Sequence, residues 1–310
     1  MAIDAQVLET YALQAKAPAH IRIWRSLFSF VRKQPLGAFG GFTVILLILM
    51  SLFPGFFAHA DPNAIHLTDR NAGPSGAHWF GTDNLGRDFF ARIVYGARIS
   101  VQIGFGVVFL SATFAAILGL ISGYFGGVFD MLVQRLVDIG ISLPGLIFII
   151  LVITSVQQVP LVGWDIPVLW RIVVSLGVLQ ALGSSRIIRG ATISTRQNQY
   201  VEASRVVGAS DARIIVRHLL PNVFPVILIS ASIQIGGAVL IEASLSFLGY
   251  GVPPPQASWG RMLNDARAEL VNYPHLAIFP GLAIFFAVFS FNMFGDGLRD
   301  VLDPRLRGSR

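Results

Sequence analysis

Few residues of this chain could do chemistry, and they fall in three places. Gln234 and Glu242 lie in an otherwise apolar stretch, with Gly236 and Gly237 between them. A lone carboxylate is costly in lipid, so Glu242 must face protein or water. Either it lines a path through the membrane and attracts a cationic group, or it pairs with a neighbouring helix near the outer interface. His78, Asp83 and Asp88 lie in the segment His78-Trp79-Phe80-Gly81-Thr82-Asp83-Asn84-Leu85-Gly86-Arg87-Asp88. Three such side chains could ligate a metal, but their spacing matches no ligand pattern. The better reading has Thr82 or Asp83 capping a short interfacial helix, with Trp79 and Phe80 at the headgroup level. The third place is the polar insert from Asn198 to Asn222, with Arg205, Arg213 and Arg217 against Glu202 and Asp211.

Several chemistries are excluded. The only lysines are Lys16 and Lys33, and neither follows a glycine, so the chain has no G-x-x-x-x-G-K-[ST] phosphate loop. H-E-x-x-H and G-x-S-x-G are absent too. With no cysteine, disulfides and thiol chemistry are out. The expectation is a chain that is not an enzyme and holds no cofactor or metal of its own. The net charge of +6 rests almost wholly on arginine. The arginines sit at the ends of apolar blocks, which fits topology and anionic lipid rather than nucleic acid.

The elements that position these residues are membrane helices. Only 13% of residues are charged and mean hydropathy is +0.66, where a soluble domain carries about 25%. Leu36–Phe57 is an apolar run that would extend ~33 Å as a helix, enough for a ~30 Å hydrocarbon core. Ala58-His59-Ala60 looks like a signal-peptidase site, but the long basic region and long apolar run argue for an uncleaved anchor. Further spans are expected at Ile99–Tyr124, Leu136–Val156, Val168–Ser185, Val223–Tyr250 and His275–Phe294. Ser111, Ala115, Gly119, Gly123 and Gly127 recur every four residues, a stripe that lets another helix approach closely. Pro144 should kink the third span. Asp138 lies near that span's start, and Arg171 can snorkel outward from the fourth. The fold class is therefore all-α: a polytopic membrane protein of six transmembrane helices.

The insert reads as a helix–turn–helix outside the bilayer. Tyr200, Val201, Ala203, Val206 and Val207 give its first piece an apolar side. Gly208 suits a left-handed turn, Ser210 can cap the second piece with Asp211 in its first turn, and Pro221 closes it.

Glu202-Ala203-Ser204, then Gly208 and Leu220-Pro221, resemble the EAA loop of ABC-importer permeases, whose pattern is E-A-A, three residues, G, nine residues, I-x-L-P. Ser204 replaces the second alanine and His218 the isoleucine. The His78–Asp88 segment resembles H-W-[FL]-G-T-D-x-x-G-R-D of the peptide and nickel branch. Glu242-Ala243-Ser244-Leu245-Ser246-Phe247-Leu248-Gly249 is similar to the same branch. So is the tail Gly295-Asp296-Gly297-Leu298-Arg299-Asp300-Val301-Leu302-Asp303-Pro304-Arg305, whose aspartates otherwise read as a solvated helix end. The resemblance covers roughly 61–307 and points to the dipeptide and oligopeptide permeases.

That resemblance implies partners: a second permease of similar fold, two cytoplasmic ATP-binding subunits that hold ATP and magnesium, and an extracytoplasmic solute-binding protein. It implies that Tyr200, Glu202, Ala203, Ser204, Arg205, Gly208, Ala209, Leu220 and Pro221 form the ATPase-coupling site. The cargo would be a peptide, with glutathione or a nickel chelate as alternatives. A secondary transporter, a channel or a docking scaffold stays open from the residues alone.

The chain divides into an N-terminal segment 1–35, a first span with external loop 36–98, a five-helix core 99–299 and a tail 300–310. With the N-terminus inside, the inner segments hold 16 Lys and Arg and the outer ones 6. The positive-inside rule then puts both termini and the 198–222 loop in the cytoplasm of a bacterial-type inner membrane.

Overall fold

The computed structural model describes residues 31–32, 34–156 and 165–302. Most of the N-terminal segment, the 157–164 connection and the tail from Asp303 lie outside the described residues. Expectations for Lys16, Lys33, Asp303, Pro304 and Arg305 fall there.

Helices account for the architecture, and the described residues contain no named strand. Helix α1 is Pro35–Leu52, followed by a four-residue helix Pro54–Phe57. Helix α2, Phe89–Phe125, has 37 residues. Helices α3 (Gly127–Ser142) and α4 (Gly145–Ser155) follow, then α5 (Val168–Arg196). Helix α6 is Gln199–Val206, and α7 is Asp211–Ile214. A π-helical turn at Ile215–Leu219 joins α7 to α8, Leu220–Phe247. Helix α9 is Trp259–Ala266 and α10 is His275–Leu302. Five helical runs are long and apolar enough to cross a membrane, and the α3–α4 pair would make a sixth span if counted as one.

Several boundaries differ from expectation, each for a local reason. The second helix starts at Phe89, ten residues early, because Asp88 caps it: its Oδ1 accepts from the Ala91 amide at 2.7 Å. Asp83 instead accepts from the Arg87 side chain at 2.7 Å. The third span is broken rather than kinked. Proline lacks the amide and disfavours helix at the residue before it, so α3 and α4 meet at 88° around Leu143 and Pro144. Helix α3 also begins at Gly127, ahead of the expected start of the third span at Leu136. Pro221 does not close the insert. It lies in the first turn of α8, directly after the π turn.

The small-residue stripe is a packed seam along four of its five members. A Cβ on Gly119 would stand 2.8 Å from Ile188, and one on Gly123 2.8 Å from Thr192, so α2 and α5 touch backbone to backbone. Ser111 and Ala115 are fully buried. Gly127 falls beyond the end of α2 and meets nothing. Arg171 does not snorkel outward; its guanidinium donates to the Ile153 carbonyl at the end of α4.

Contacts fix which helix ends share a face. The Gln34 amide donates to Asp300 at 2.8 Å, joining the start of α1 to the end of α10. Arg196 donates to the Tyr124 carbonyl at 2.6 Å, joining the ends of α5 and α2. On the opposite face, Arg98 donates to the Ser51 carbonyl at 3.0 Å, and Trp259 of α9 donates to the Ile93 carbonyl at 2.8 Å. Since α1 and α2 run in opposite directions, Gln34, Asp300 and the 198–222 loop all lie on the first face.

Candidate functional site

The loop is built as its residues dictate. Asn198 is extended and starts α6, and Gly208 takes φ +84°, a left-handed turn that glycine adopts freely. Ser210 then caps α7, its hydroxyl oxygen accepting from the Arg213 amide at 3.4 Å. The π turn follows, with the Leu220 amide bonded to the Ile215 carbonyl. A widened turn suits the proline one residue later, whose ring would crowd the carbonyl of a regular α-turn.

One side of the loop is anchored. Val201, Ile214 and Leu219 are fully buried and pack with Leu120 and Tyr124 of α2 and Ile188 of α5. Ala209 and Leu220 pack at the edge of this cluster. The other side is open. Val206 and Val207 are 88% and 87% exposed, and Tyr200, Glu202, Ala203 and Arg205 are exposed beside them. So the apolar side expected for α6 is split between an anchoring residue and a free tip. Val206 and Val207 form a small exposed apolar patch at the end of α6.

Ser204 lies between the two sides. Its hydroxyl donates to the Tyr200 carbonyl at 2.8 Å and lies 3.3 Å from His218 Nε2. The serine and histidine that depart from the E-A-A and I-x-L-P pattern therefore touch each other. Sequence reasoning did not single out Tyr124. Its hydroxyl bonds Asp211 at 2.5 Å, and the Arg205 guanidinium lies 5.1 Å over its ring. No spacing signal could have found this contact, since it spans most of the core.

Beneath the α2–α5 seam, Asp130 of α3 is held by a bidentate pair with Arg189 of α5 and by the Ser122 hydroxyl. It ties the start of the third span to the same helices that anchor the loop.

The two candidates inside the spans sit in helix contacts. The Gln234 oxygen accepts from Ser111 at 3.0 Å, and its amide donates to the Ser230 carbonyl at 2.9 Å. Glu242 is wholly buried, and its Oε1 accepts from the Ser246 hydroxyl at 2.7 Å. Nearby, α9 is pressed onto α8: a Cβ on Gly260 would stand 2.2 Å from the Ala243 carbonyl oxygen.

On the face opposite the loop, His78 Nδ1 and Asp88 lie 2.8 Å apart, while Asp83 turns to Arg87 and Arg92. The three residues do not converge, and among the described residues no group of three could hold a metal ion. Phe80 stacks on Phe279 of α10 at 4.0 Å, while Trp79 stays 58% exposed.

Comparison with known proteins gives this bundle of membrane helices a family. Residues 115–308 match the family model described as the binding-protein-dependent transport system inner membrane component. The chain belongs to this family. Residues 22–74 of the permease match a second model, the N-terminal transmembrane domain of oligopeptide transport permease C. The permease is 38% identical over 299 residues to the glutathione transport system permease protein GsiD of Escherichia coli O157:H7, covering 96% of both chains. It is 39% identical over 285 residues to the protein of that name from Pectobacterium atrosepticum, covering 92% of both. Among solved structures, an amino acid ABC transporter crystallised with histidines matches at TM-score 0.43 and 15% identity, over 66% of this chain and 94% of that one. The permease is thus a multi-pass membrane subunit of an ABC transport system, a class that works with ATPase and binding-protein partners.

Proposed function

We propose that this permease forms half of the translocation pathway of a peptide-class ABC importer. A second homologous permease supplies the other half. Two ATP-binding subunits hold ATP and magnesium on the cytoplasmic side, and a solute-binding protein delivers cargo outside. The chain itself has no ATPase site. The cargo reading rests on the relatives, whose name specifies glutathione, itself a tripeptide. A dipeptide or a longer peptide fits the same class.

The observation that carries the coupling role is the two-sided loop: Val201 and Ile214 lock it to α2 and α5, while Val206 and Val207 stand free. The positive-inside count puts that loop and both termini in the cytoplasm, where an ATPase would meet them. ATP-driven closure of the ATPases then pulls on α6, and the anchored side passes the displacement to α2 and α5. ATP shifts the permease between inward-open and outward-open only as far as the ATPases bind the two states unequally.

Purification of the tagged chain from its own membrane in mild detergent, followed by mass spectrometry, tests the assembly. The expected companions are a second six-span permease and one or two phosphate-loop ATPases. A chain that comes down alone or only with itself overturns the reading and favours ion-gradient transport.

A further inference from the structure

Helix α3 meets the seam between α2 and α5 at a carboxylate. Of its 16 residues only Asp130 and Val137 are buried. Its joint with α2 gives little hold. Gly126 is the single residue between the two helices, at φ +66° and ψ −156°, a backbone region open essentially to glycine alone. Gly127 follows at φ +59°, with nothing within 4 Å of where a Cβ would stand. Farther along, the Asp138 and Arg186 side chains pair while 49% and 43% exposed, and an exposed pair holds little.

Asp130 is bound from both helices of the seam. Arg189 of α5 donates to it twice, Nε to Oδ1 at 2.6 Å and Nη2 to Oδ2. The Ser122 hydroxyl of α2 donates to Oδ1. Gln134, one turn along α3, donates to the same serine oxygen at 3.3 Å. A bidentate guanidinium–carboxylate pair fixes direction as well as distance. The residues beside these donors anchor the loop. Ile188 precedes Arg189, Leu120 lies two before Ser122, and both pack with Val201 and Ile214. Neighbours on one rigid helix move together, so the loop's anchor and the grip on Asp130 shift as one.

We propose that Asp130 is the positioning residue through which displacement of the loop reaches the third span. A pull on Val201 and Ile214 moves α2 and α5. The grip on Asp130 then obliges α3 to follow instead of turning at its glycine joint. This rests on the coupling role given above to the 198–222 loop.

The test uses the complete complex in proteoliposomes, with its solute-binding protein. The probe is a labelled mixture of di- and tripeptides that includes glutathione, and uptake and phosphate release are measured together. Asp130→Asn leaves the guanidinium without its counter-charge, and Arg189→Gln does the same to the carboxylate. Each should lower the solutes imported per ATP at least about fivefold while the ATPases still co-purify. Asp130→Asn combined with Arg189→Gln sets two neutral amides across the same gap and should return the ratio to within about twofold of wild type. A merely structural role would lower yield and melting temperature but leave the ratio of the surviving complexes unchanged. That result, or a double variant no better than the singles, overturns the proposal. Ser122→Ala removes one donor, keeps the ion pair and should lower the ratio about twofold. If the charge variants fail to assemble, Ser122→Ala decides, and a wild-type ratio there overturns the proposal. A wild-type complex that imports no peptide under ATP sinks the importer reading and this proposal with it. A coupled wild type beside equally coupled variants sinks the proposal alone.

Discussion

Tyr124, at the end of the second helix, donates its hydroxyl hydrogen to Asp211 of the loop across 2.5 Å, although 87 residues separate them in the chain. Arg205 of α6 covers the same ring at 5.1 Å. Tyr124 therefore holds both halves of the loop, one through its hydroxyl and one through its face. Under the proposed coupling role, it is a positioning residue for the ATPase that docks on the exposed valines.

Removing the hydroxyl alone should loosen this link without unfolding the chain. Tyr124→Phe keeps the ring under Arg205 and forfeits a hydrogen bond worth about 1 kcal/mol net. The expected result is fewer solutes imported per ATP hydrolysed, with assembly unchanged. Tyr124→Leu also removes the cation–π contact and should lower the ratio further. Paired uptake and phosphate-release assays on reconstituted complex check this. Equal ratios in all three proteins would show that the clamp carries no motion.

Gly208 can be tested through its backbone alone. At φ +84° a β-branched residue is strained by about 1–2 kcal/mol, yet no atom lies within 4 Å of a Cβ there. Gly208→Val should uncouple ATP hydrolysis from uptake while membrane insertion stays normal. Gly208→Asn, which tolerates the left-handed region, should retain most coupling. Coupled uptake in the valine variant would remove the turn from the account.

Glu242 and Ser246 separate packing from path. Glu242→Gln keeps an acceptor for the Ser246 hydroxyl, so uptake and cargo preference should match wild type. Ser246→Ala removes one of the buried carboxylate's hydroxyl partners and should cost about 1–3 kcal/mol of stability. Thermal melts in detergent, run beside competition uptake, report both. A changed cargo preference in Glu242→Gln at an unchanged melting temperature would return this residue to the path.

Helix α9 depends on one close approach. Gly260→Ala places a methyl against the Ala243 carbonyl, 2.2 Å away. It should destabilise the permease by about 1–3 kcal/mol through overpacking. Substituting alanine at Gly237, which has nothing within 4 Å, should be neutral. Similar melting temperatures for the two would mean α9 is not seated as described.

The sequence was most legible where one residue type answers one local need. Gly208 announced its turn, Ser210 its cap, and Ser111 to Gly123 their seam. It was least legible where two devices compete. Asp83, Thr82 and Asp88 can all cap a helix, but Asp83 is taken up by the Leu85 and Arg87 amides and by the Arg87 and Arg92 side chains, which leaves the cap to Asp88. Pro144 and Pro221 carry the same helix-breaking chemistry. One breaks its span at 88°, while the other is absorbed by a π turn; that difference lies in the surrounding packing. The loop's exposed tip was hidden because Val201, Val206 and Val207 look alike as letters and separate only once α6 is oriented on α2.

The most direct test of the account joins the loop to its motor. A single Val206→Cys in the cysteine-free chain is expressed with its native partners and treated in membranes with a short thiol–amine cross-linker. The account predicts a covalent product of this permease with a phosphate-loop ATPase, whose yield changes when ATP and vanadate trap the ATPases closed. A product with no ATPase, or a yield indifferent to nucleotide, would contradict the claim that this loop is where ATP hydrolysis drives the permease.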